Sequence, residues 1–436
     1  MACREIKAKR IKKCRQQDLI PLKTPFLILF STPRMALLCP KEKPMQPQEI
    51  QALRSATRGT AEYIHFNNAG ASLPPDSTLN TVIRYLQEEA IKGGYETEAK
   101  YAAELGNVYT LIGKLINAQP GEIAIVENAS VGWHIAFNGI DFEPGDEVIT
   151  SEMEYVTNHI GFLNVQKTHH IRVTVVPNDA DGNFDLHALQ KAINPKTKLI
   201  AITHVPSTAG NILPVEEIGR IARRHNILYL VDACQSVGQL PLDVEAIGCD
   251  ILAVTGRKYL RGPRGTGFLY VRKNIQDRLR LFFLDGHSVA SVSENSFQLQ
   301  DNARRFELYE KNRALVLGLG AAISYALDLG LDKIEQRITH LSTLLRNRLS
   351  ALEGVTVHDK GAKLSGIVTF SVAGIPAEKV KAALLEKKIN VSVGRAHSTL
   401  IYMNKHHLAT VVRASVHYYN TEEEIDTFCA AVAAIG

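Results

Sequence analysis

The stretch Tyr229-Leu-Val-Asp232-Ala-Cys-Gln235 is an apolar run that ends in an acid and an amide, and a second run, 250–254, leads into Thr255-Gly-Arg257-Lys258. Short apolar runs of this kind are typical of strands buried in a parallel sheet. Ligands of such sheets lie beyond the carboxyl ends of the strands. We therefore expect Asp232 and Lys258 to lie at one edge of a sheet and to form a site there.

Outward from this pair, seven short apolar or β-branched runs alternate with helical patterns and predict the strands of the sheet. They are 122–126, 147–150, 171–176, 199–203, 227–231, 251–255 and 267–271. Between two of them, residues 214–225 place their apolar side chains on one face of a helix that begins at a proline. This alternation predicts an α/β fold with a mostly parallel, seven-stranded sheet covered on both faces.

Residues beyond 300 follow a different pattern. Long helices are predicted at 312–331 and 333–352, strands at 367–372 and 411–416, and a final helix from Glu422. These elements predict a smaller α+β domain at the C-terminus.

The basic balance of the chain belongs to its first 45 residues. They hold 11 Lys and Arg against 3 Asp and Glu, a local charge of +8, which leaves −3 for the rest of a chain whose formal charge is +5. We therefore expect no nucleic-acid partner for the folded body, and no membrane partner, because the apolar run 26–30 is too short to span a bilayer. Residues 1–45 are predicted to be a disordered basic extension, with a transit peptide or a nucleic-acid-binding arm as alternatives, and folding is expected to begin near Met45.

The six cysteines form neither a disulfide framework nor a metal site by their spacing. None stands in a Cys-x-x-Cys pair, and three of them lie within the basic extension. This usage fits a reducing, cytoplasmic environment, and no metal is expected.

Lys258 and Asp232 are the two groups that a pyridoxal 5′-phosphate (PLP) site requires. A neutral lysine amine forms an imine with the aldehyde of PLP, and a buried carboxylate keeps the pyridine nitrogen protonated, so that the ring withdraws electrons from a substrate. Repulsion from Arg257, Arg261 and Arg264 is expected to lower the pKa of Lys258 and so to favour the neutral amine. The alternatives are a solvated basic loop for Lys258 and a turn-capping role for Asp232.

The phosphate of such a cofactor needs backbone N–H groups at the start of a helix. The turn Asn128-Ala129-Ser130 lies between a strand and a helical pattern, where exposed amides and the helix dipole favour an anion. An ordinary N-cap is the alternative. Thr255 and Arg257 are expected as second contacts of the phosphate.

Three further side chains are candidates for contacts with the ring and the substrate. Gln235 is either a donor to the phenolic oxygen of the cofactor or a turn residue. Tyr155 is either stacked on the pyridine face or an ordinary half-buried tyrosine. Arg413 is the candidate for gripping a substrate carboxylate, which a guanidinium group binds in bidentate fashion, although a structural salt bridge is the commoner use of an arginine.

Residues 66–436 resemble the class V aminotransferase family of fold type I PLP enzymes, which includes cysteine desulfurases and selenocysteine lyases. The matching motifs, in the order of the family, are Phe66-Asn-Asn68-Ala-Gly-Ala, Asn128-Ala-Ser130, Ile202-Thr-His204-Val, Asp232-Ala-Cys-Gln235, Thr255-Gly-Arg-Lys258 and Arg413-Ala-Ser-Val-His-Tyr-Tyr-Asn420. The resemblance implies a large PLP-binding domain, 66–312, a small C-terminal domain, 313–436, and a segment, 46–65, packed on the small domain.

The resemblance also implies a homodimer with its sites at the subunit interface. It adds Asn68 as a substrate-binding residue. Ser207 stands where the family has an asparagine near the cofactor, and it is added as a cofactor-binding residue.

Departures from the family pattern bear on the reaction. Tyr155 stands where desulfurases of the family stack a histidine on the ring, and Arg257 replaces the histidine that precedes the lysine. The loop that holds the sulfur-accepting cysteine in desulfurases reads Val393-Gly-Arg-Ala-His-Ser-Thr-Leu400, and no cysteine occurs between Cys249 and Cys429. Desulfuration requires a thiolate that attacks the substrate sulfur, so a desulfurase is disfavoured.

The sequence therefore predicts a PLP-dependent C–S lyase that acts on a small cysteine-derived amino acid by β-elimination, similar to hercynylcysteine sulfoxide lyases. Lys258 would remove the α-proton, and Tyr155 would protonate the leaving sulfur. The alternatives are a transaminase or epimerase that uses the same carbanion, a cysteine desulfurase with Cys234 as acceptor, and an inactive PLP-fold protein that binds a partner. Cys234 itself is expected to point toward the core.

Overall fold

The apolar runs form the predicted strands, and the helical patterns form the predicted helices. The ends of these elements lie within two residues of the predicted ends. The computed structural model describes residues 44–436, so the predictions for residues 1–43 lie outside the described part. The strands are β1 (Ile64–His65), β2 (Ile123–Val126), β3 (Glu147–Ser151), β4 (Arg172–Val176), β5 (Thr197–Thr203), β6 (Leu228–Asp232), β7 (Ile251–Thr255), β8 (Gly267–Val271), β9 (Val289–Val292), β10 (Phe297–Leu299), β11 (Val355–Val357), β12 (Ile367–Val372), β13 (Ile389–Asn390), β14 (Ser392–Arg395) and β15 (Thr410–Ser415). The α-helices are α1 (Pro47–Ser55), α2 (Asp76–Lys92), α3 (Gly94–Lys100), α4 (Ala102–Ile116), α5 (Ala129–Asn138), α6 (Val156–His169), α7 (Leu186–Ala192), α8 (Val215–Arg224), α9 (Val244–Ile247), α10 (Arg313–Leu329), α11 (Leu331–Ser350), α12 (Ala377–Glu386), α13 (Leu400–Lys405) and α14 (Glu422–Ala433).

A seven-stranded sheet forms the centre of the fold. Its strand order is β2-β8-β7-β6-β5-β3-β4, and every neighbouring pair is parallel except the two pairs that β8 makes. Alternate residues of one strand pack into separate apolar clusters, Leu230 into one and Tyr229 with Val231 into the other. Both faces are therefore covered, as the near-continuous apolar strands require. The predicted α/β fold with a mostly parallel, seven-stranded sheet is confirmed.

Helix α8 shows how closely the helices pack around this sheet. Its apolar residues, Val215, Ile218, Ile221 and Ala222, are buried, as their spacing predicts. Gly219 lies among them, where the carbonyl oxygen at the end of α9 approaches so closely that a Cβ atom would overlap it. Only glycine permits this approach of the two backbones.

The C-terminal part pairs two long helices, α10 and α11, with a four-stranded antiparallel sheet of order β11-β12-β15-β14. Helix α14 begins at Glu422, as predicted, because Thr421 and Glu424 form a reciprocal capping box. Arg54 of α1 donates to Glu424 at 2.7 Å and ties the N-terminal segment to this helix. The α+β pattern is thus present. The domain boundary at 312 and 313 stays a prediction, since the described residues belong to one compact unit.

No single helix among residues 44–436 has both the length and the apolar composition to cross a bilayer. The pair α10 and α11, bent by 82° where they meet, meets the criteria of length and composition when the two helices are taken together. Within the same residues, no group of three or more His, Cys, Asp or Glu side chains is arranged to hold a metal ion.

Candidate active site

Asp232 and Lys258 line one cavity at the carboxyl edge of the large sheet. β6 ends at Asp232, and the turn after the neighbouring parallel strand, β7, carries Lys258. The wall of the cavity consists of Ala129, Ser130, Tyr155, Asn158, Thr203, Val205, Ser207, Asp232, Cys234, Gln235 and Lys258. It includes every predicted cofactor-binding residue except Thr255 and Arg257.

The Asp232 carboxylate is held by two donors. Its Oδ1 accepts the backbone N–H of Cys234 at 2.9 Å, and its Oδ2 accepts the side-chain Nδ2 of Asn158 at 2.9 Å. Only 5% of Asp232 is exposed. The two hydrogen bonds hold the carboxylate in one orientation at the edge of the cavity.

The Lys258 amine is desolvated, since the residue is only 9% exposed. Burial lowers its pKa; the charges of Arg257 and Arg413 act in the same direction, against those of Asp232 and Cys234. The shift is toward the neutral, nucleophilic amine.

Two of the three arginines that were expected to lower the pKa of Lys258 do not do so. Arg261 lies in the core, where its guanidinium group donates to the hydroxyl groups of Thr57 at 2.6 Å and Tyr418 at 2.7 Å. Arg264 is exposed to solvent. Neither acts as the expected neighbour of Lys258, and burial is the main cause.

Tyr155 immediately precedes α6 and lines the cavity. The centre of its ring is 5.9 Å from the Lys258 Nζ atom, and its backbone N–H donates to the buried carboxylate of Glu154 at 3.0 Å. Burial raises the pKa of Glu154 to about 7, although hydrogen bonds from Thr203 and Asn158 oppose the rise. This position is compatible with a ring stacked on the cofactor, which stays a prediction.

The turn before α5 supplies the expected N–H groups. Asn128 caps the helix by accepting the N–H of Val131 at 3.0 Å, and Ala129 and Ser130 line the cavity. The start of a ten-residue helix thus opens on the cavity that holds the amine and the carboxylate. Such an end favours a phosphate group.

Thr255 and Arg257 are not part of the cavity wall. Thr255 is buried at the end of β7, and the guanidinium group of Arg257 donates to the carbonyl oxygen of Gly70. The contact of these two residues with a phosphate stays a prediction.

Two buried polar atoms of the cavity wall have no partner among the described residues, Ser207 Oγ and Gln235 Oε1. Because buried polar groups are almost always hydrogen-bonded, these two atoms can each form a hydrogen bond with a bound group. The amide nitrogen of Gln235, the predicted donor, already donates to the carbonyl oxygen of Ala69 at 3.1 Å. An amine, a carboxylate, an aromatic ring, a helix start and two unpaired polar atoms surround the cavity, and this set of groups fits PLP.

Arg413 is buried on β15 without an acidic partner among residues 44–436. Its guanidinium group donates to the carbonyl oxygen of Ser207 at 2.7 Å and to Oδ1 of Asn67 at 3.4 Å, and its Nε has no partner there. Burial lowers its pKa to about 10. The alternative of a structural salt bridge is therefore not what the structure contains, and the cation remains available to a carboxylate.

Asn68, predicted to bind the substrate, is hydrogen-bonded within the fold, and its contact with a substrate stays a prediction. Its side chain is fully buried, its Nδ2 donates to the carbonyl oxygens of His65 and Ser415, and its Oδ1 accepts the hydroxyl of Tyr419 at 2.5 Å. These bonds occupy its polar atoms and join the segment after β1 to β15. The preceding residue, Asn67, contacts the candidate carboxylate-binding arginine instead.

Three residues of the cavity wall are not among the sequence-predicted candidates, namely Asn158, Thr203 and Val205. Asn158 follows Tyr155 by three residues, close to one helical turn. This spacing is the sequence signal from which Asn158 could have been predicted. Cys234, expected to point toward the core, lines the cavity instead. Burial raises the pKa of its thiol well above the ordinary value, and the charge of Asp232 adds to the rise.

The loop after β14 packs beside the site. Thr399 is fully buried, and its hydroxyl accepts a hydrogen bond from the hydroxyl of Thr208 at 2.6 Å, one residue after Ser207. Arg395 and His397 are exposed. The loop offers hydroxyl groups, an imidazole and a guanidinium group, but no thiol.

Comparisons with known proteins place these features in a family. The family model for class V aminotransferases matches residues 64–428. A probable cysteine desulfurase of Methanothermobacter thermautotrophicus is 31% identical over 371 residues, which cover 84% of this chain and 92% of the relative. Another, from Pyrococcus abyssi, is also 31% identical, over 85% of this chain and 93% of the relative.

Solved structures show the same fold. The apo structure of a cysteine desulfurase from Thermococcus onnurineus NA1 superposes with a TM-score of 0.83 at 28% identity, covering 88% of this chain and 97% of that one. The cystine C–S lyase C-DES, in complex with its reaction product cysteine persulfide, superposes with a TM-score of 0.79 at 24% identity, over 86% of this chain and 99% of that one. The chain therefore belongs to the class V aminotransferase family of PLP-dependent, fold type I enzymes.

Proposed function

We propose that this chain is a C–S lyase that breaks the bond between Cβ and the sulfur of a cysteine-derived amino acid by β-elimination. One observation carries the proposal: a desolvated amine, Lys258, and a phenol, Tyr155, line one cavity, while the loop at 393–400 has no cysteine. In this reaction the sulfur leaves as a thiol, and one water molecule converts the remainder to pyruvate and ammonia.

The residues that would hold the cofactor are Ala129, Ser130, Ser207, Asp232, Gln235 and Lys258. When bound, PLP supplies an electron-withdrawing ring that stabilises negative charge at the substrate Cα. The start of α5 would bind its phosphate, and Asp232 would pair with its ring nitrogen.

Three side chains would act on the substrate. The Lys258 amine can take the α-proton, because burial favours its neutral form. The Tyr155 hydroxyl can give a proton to the departing sulfur from the wall of the same cavity. Arg413 would bind the substrate carboxylate in bidentate fashion and so fix the direction of the bond that breaks.

A cysteine desulfurase is the second candidate, because relatives that are 31% identical carry that name. That reaction needs a thiolate to accept the substrate sulfur. Cys234 lines the cavity, but burial raises its pKa well above the ordinary value, and a neutral thiol is a poor acceptor. The thiol chemistry of this cavity therefore supports elimination over sulfur transfer.

The test of the reaction supplies the PLP-loaded protein with S-alkyl cysteines. We expect thiol and pyruvate in equal amounts without any added keto acid. Strict dependence on a keto acid would identify a transaminase instead, and inversion at Cα without pyruvate would identify an epimerase. Alanine formed from free cysteine, with sulfide released by an added thiol reductant, and both abolished by Cys234→Ser, would establish the desulfurase.

The test of the cofactor uses borohydride reduction of the loaded protein followed by peptide mapping. We expect the label on Lys258 and none in Lys258→Ala. A protein that shows no visible absorption band from the bound cofactor and no label would be an inactive member of the family.

We propose further that the chain works as a homodimer. An apolar groove next to the cofactor cavity includes Ser130, which lines both, together with the exposed Phe282 and Phe283. Exposed apolar patches of this kind mark interaction surfaces. The native mass of the protein in solution should be twice that of one chain, and a monomeric mass would contradict the proposal.

A further inference from the structure

One side-chain amide bridges two buried carboxylates beside the cofactor cavity. The Nδ2 of Asn158 donates to Oδ2 of Asp232 at 2.9 Å and to Oε1 of Glu154 at 2.8 Å. The exposed fractions are 2% for Asn158, 5% for Asp232 and 3% for Glu154. An amide nitrogen carries two hydrogens, so this contact uses the whole donor capacity of the group.

Hydrogen-bond donors from β3, from the end of β5 and from the residue before α6 hold the Glu154 carboxylate in place. It accepts the Thr150 hydroxyl of β3 at 2.9 Å, the Thr203 backbone N–H at the end of β5 at 3.2 Å, and the backbone N–H of Tyr155 at the start of α6 at 3.0 Å. The Thr203 hydroxyl donates to it as well. Because these donors converge on Glu154, its Oε1 presents a fixed acceptor to Asn158.

The bridge fixes the direction of the Asp232 carboxylate. Among residues 44–436, the backbone N–H of Cys234 donates to its Oδ1, and the side-chain amide of Asn158 donates to its Oδ2. The Asn158 amide cannot turn away without giving up Glu154 as well. The same Glu154 carboxylate accepts the backbone N–H of Tyr155, so Glu154 orients both Tyr155 and Asn158.

We propose that Asn158, held by Glu154, is a positioning residue that keeps the Asp232 carboxylate aimed at the ring nitrogen of the cofactor. The inference rests on the proposed pairing of Asp232 with that nitrogen. Without Asn158, that carboxylate would be less firmly aimed, and the ring nitrogen would hold its proton less strongly.

The test loads Asn158→Ala with PLP that carries an isotopic label at the ring nitrogen. The NMR chemical shift of that nitrogen reports its protonation, which a merely structural role of Asn158 would leave unchanged. We expect the shift to move toward that of the unprotonated ring. Since hydrogen bonds to charged groups are worth about 1.5–3 kcal/mol, we also expect cofactor binding, followed by visible absorption, to weaken about 10- to 100-fold.

The matched control is Gln166→Ala, at an exposed amide side chain of the same helix, which should change neither quantity. If Asn158→Ala does not fold by circular dichroism, Asn158→Ser replaces it, because a hydroxyl has one hydrogen and cannot donate to both carboxylates. A wild-type nitrogen shift and wild-type binding in either folded variant would overturn the inference. Failure of the wild-type protein to bind PLP at all would instead overturn the proposed function.

Discussion

The amine nitrogen of Lys258 lies 5.9 Å from the centre of the Tyr155 ring, and both side chains line one cavity. The lysine comes from the turn after β7, and the tyrosine comes from the start of α6. An elimination needs a base for the α-proton and an acid for the departing sulfur, and these two groups can supply them at one substrate. Because they belong to different elements, their roles can be separated by mutation.

Tyr155→Phe removes the phenolic proton and keeps the ring. If Tyr155 protonates the leaving sulfur, kcat should fall by about 10²- to 10⁴-fold, the usual contribution of general acid catalysis. The loss should shrink with substrates whose thiol products are more acidic, because such thiols leave without a proton. The measurement is kcat across a series of cysteine S-conjugates.

The control for that series is Tyr63→Phe, an exposed tyrosine, which should leave kcat unchanged. An equal loss in Tyr155→Phe across all leaving groups would show that the phenol does not act on the sulfur.

Arg413→Lys replaces the bidentate guanidinium group with a single ammonium group. We expect KM to rise about 10- to 100-fold for substrates with a free carboxylate, because hydrogen bonds between charged groups contribute about 1.5–3 kcal/mol. The carboxamide analogue of the substrate should bind the variant and the wild type about equally. Arg224→Lys, at an exposed arginine of α8, is the control. Equal losses for the acid and the amide would assign Arg413 to the fold instead of the substrate.

Because His204 is buried, we expect the stability of the protein to depend on pH. Burial lowers its pKa to about 4, with a smaller contribution from the charge of Lys363, whereas a histidine in an unfolded chain titrates near 6.5. Between these values the unfolded state binds more protons, so the free energy of unfolding falls as the pH falls from about 6.5 to about 4. His204→Gln removes this contribution. The drop in Tm from pH 7 to pH 5 should therefore be smaller in the variant than in the wild type.

The control for the pH series is His225→Gln, at an exposed histidine. It should retain the wild-type drop in Tm. Identical drops in the wild type and in His204→Gln would mean that His204 does not titrate as a buried group.

Two glycines in helices should respond to alanine with opposite signs. At Gly219, a Cβ atom would overlap the carbonyl oxygen of Ile247, so Gly219→Ala should lower the free energy of unfolding by about 1–3 kcal/mol. At Gly106 in α4, a Cβ atom would meet nothing within 4 Å, so Gly106→Ala should raise it by about 0.5–1 kcal/mol. Denaturant titration measures both. A loss of stability in Gly106→Ala would contradict the open space around that residue.

The large sheet could be predicted from the sequence because each strand is a local apolar run. The predicted strands 251–255 and 267–271 agree with β7 and β8 to the residue. The hairpin of β9 and β10 is absent from the predictions, since its residues are mostly exposed and show no apolar pattern. Elements that bury one face leave a periodic signal, and exposed ones do not.

By itself the sequence determined the strand ends that carry Asp232 and Lys258, because parallel strands place the groups at their carboxyl ends along one edge. Only the tertiary structure decided which neighbouring side chains join them. Asn158 donates to Asp232, which lies 74 residues away in the sequence. Asn68 donates to β15, and Cys234 lines the cavity instead of pointing toward the core. The direction of a side chain in a turn depends on hydrogen bonds to residues remote in sequence, and no local pattern encodes them.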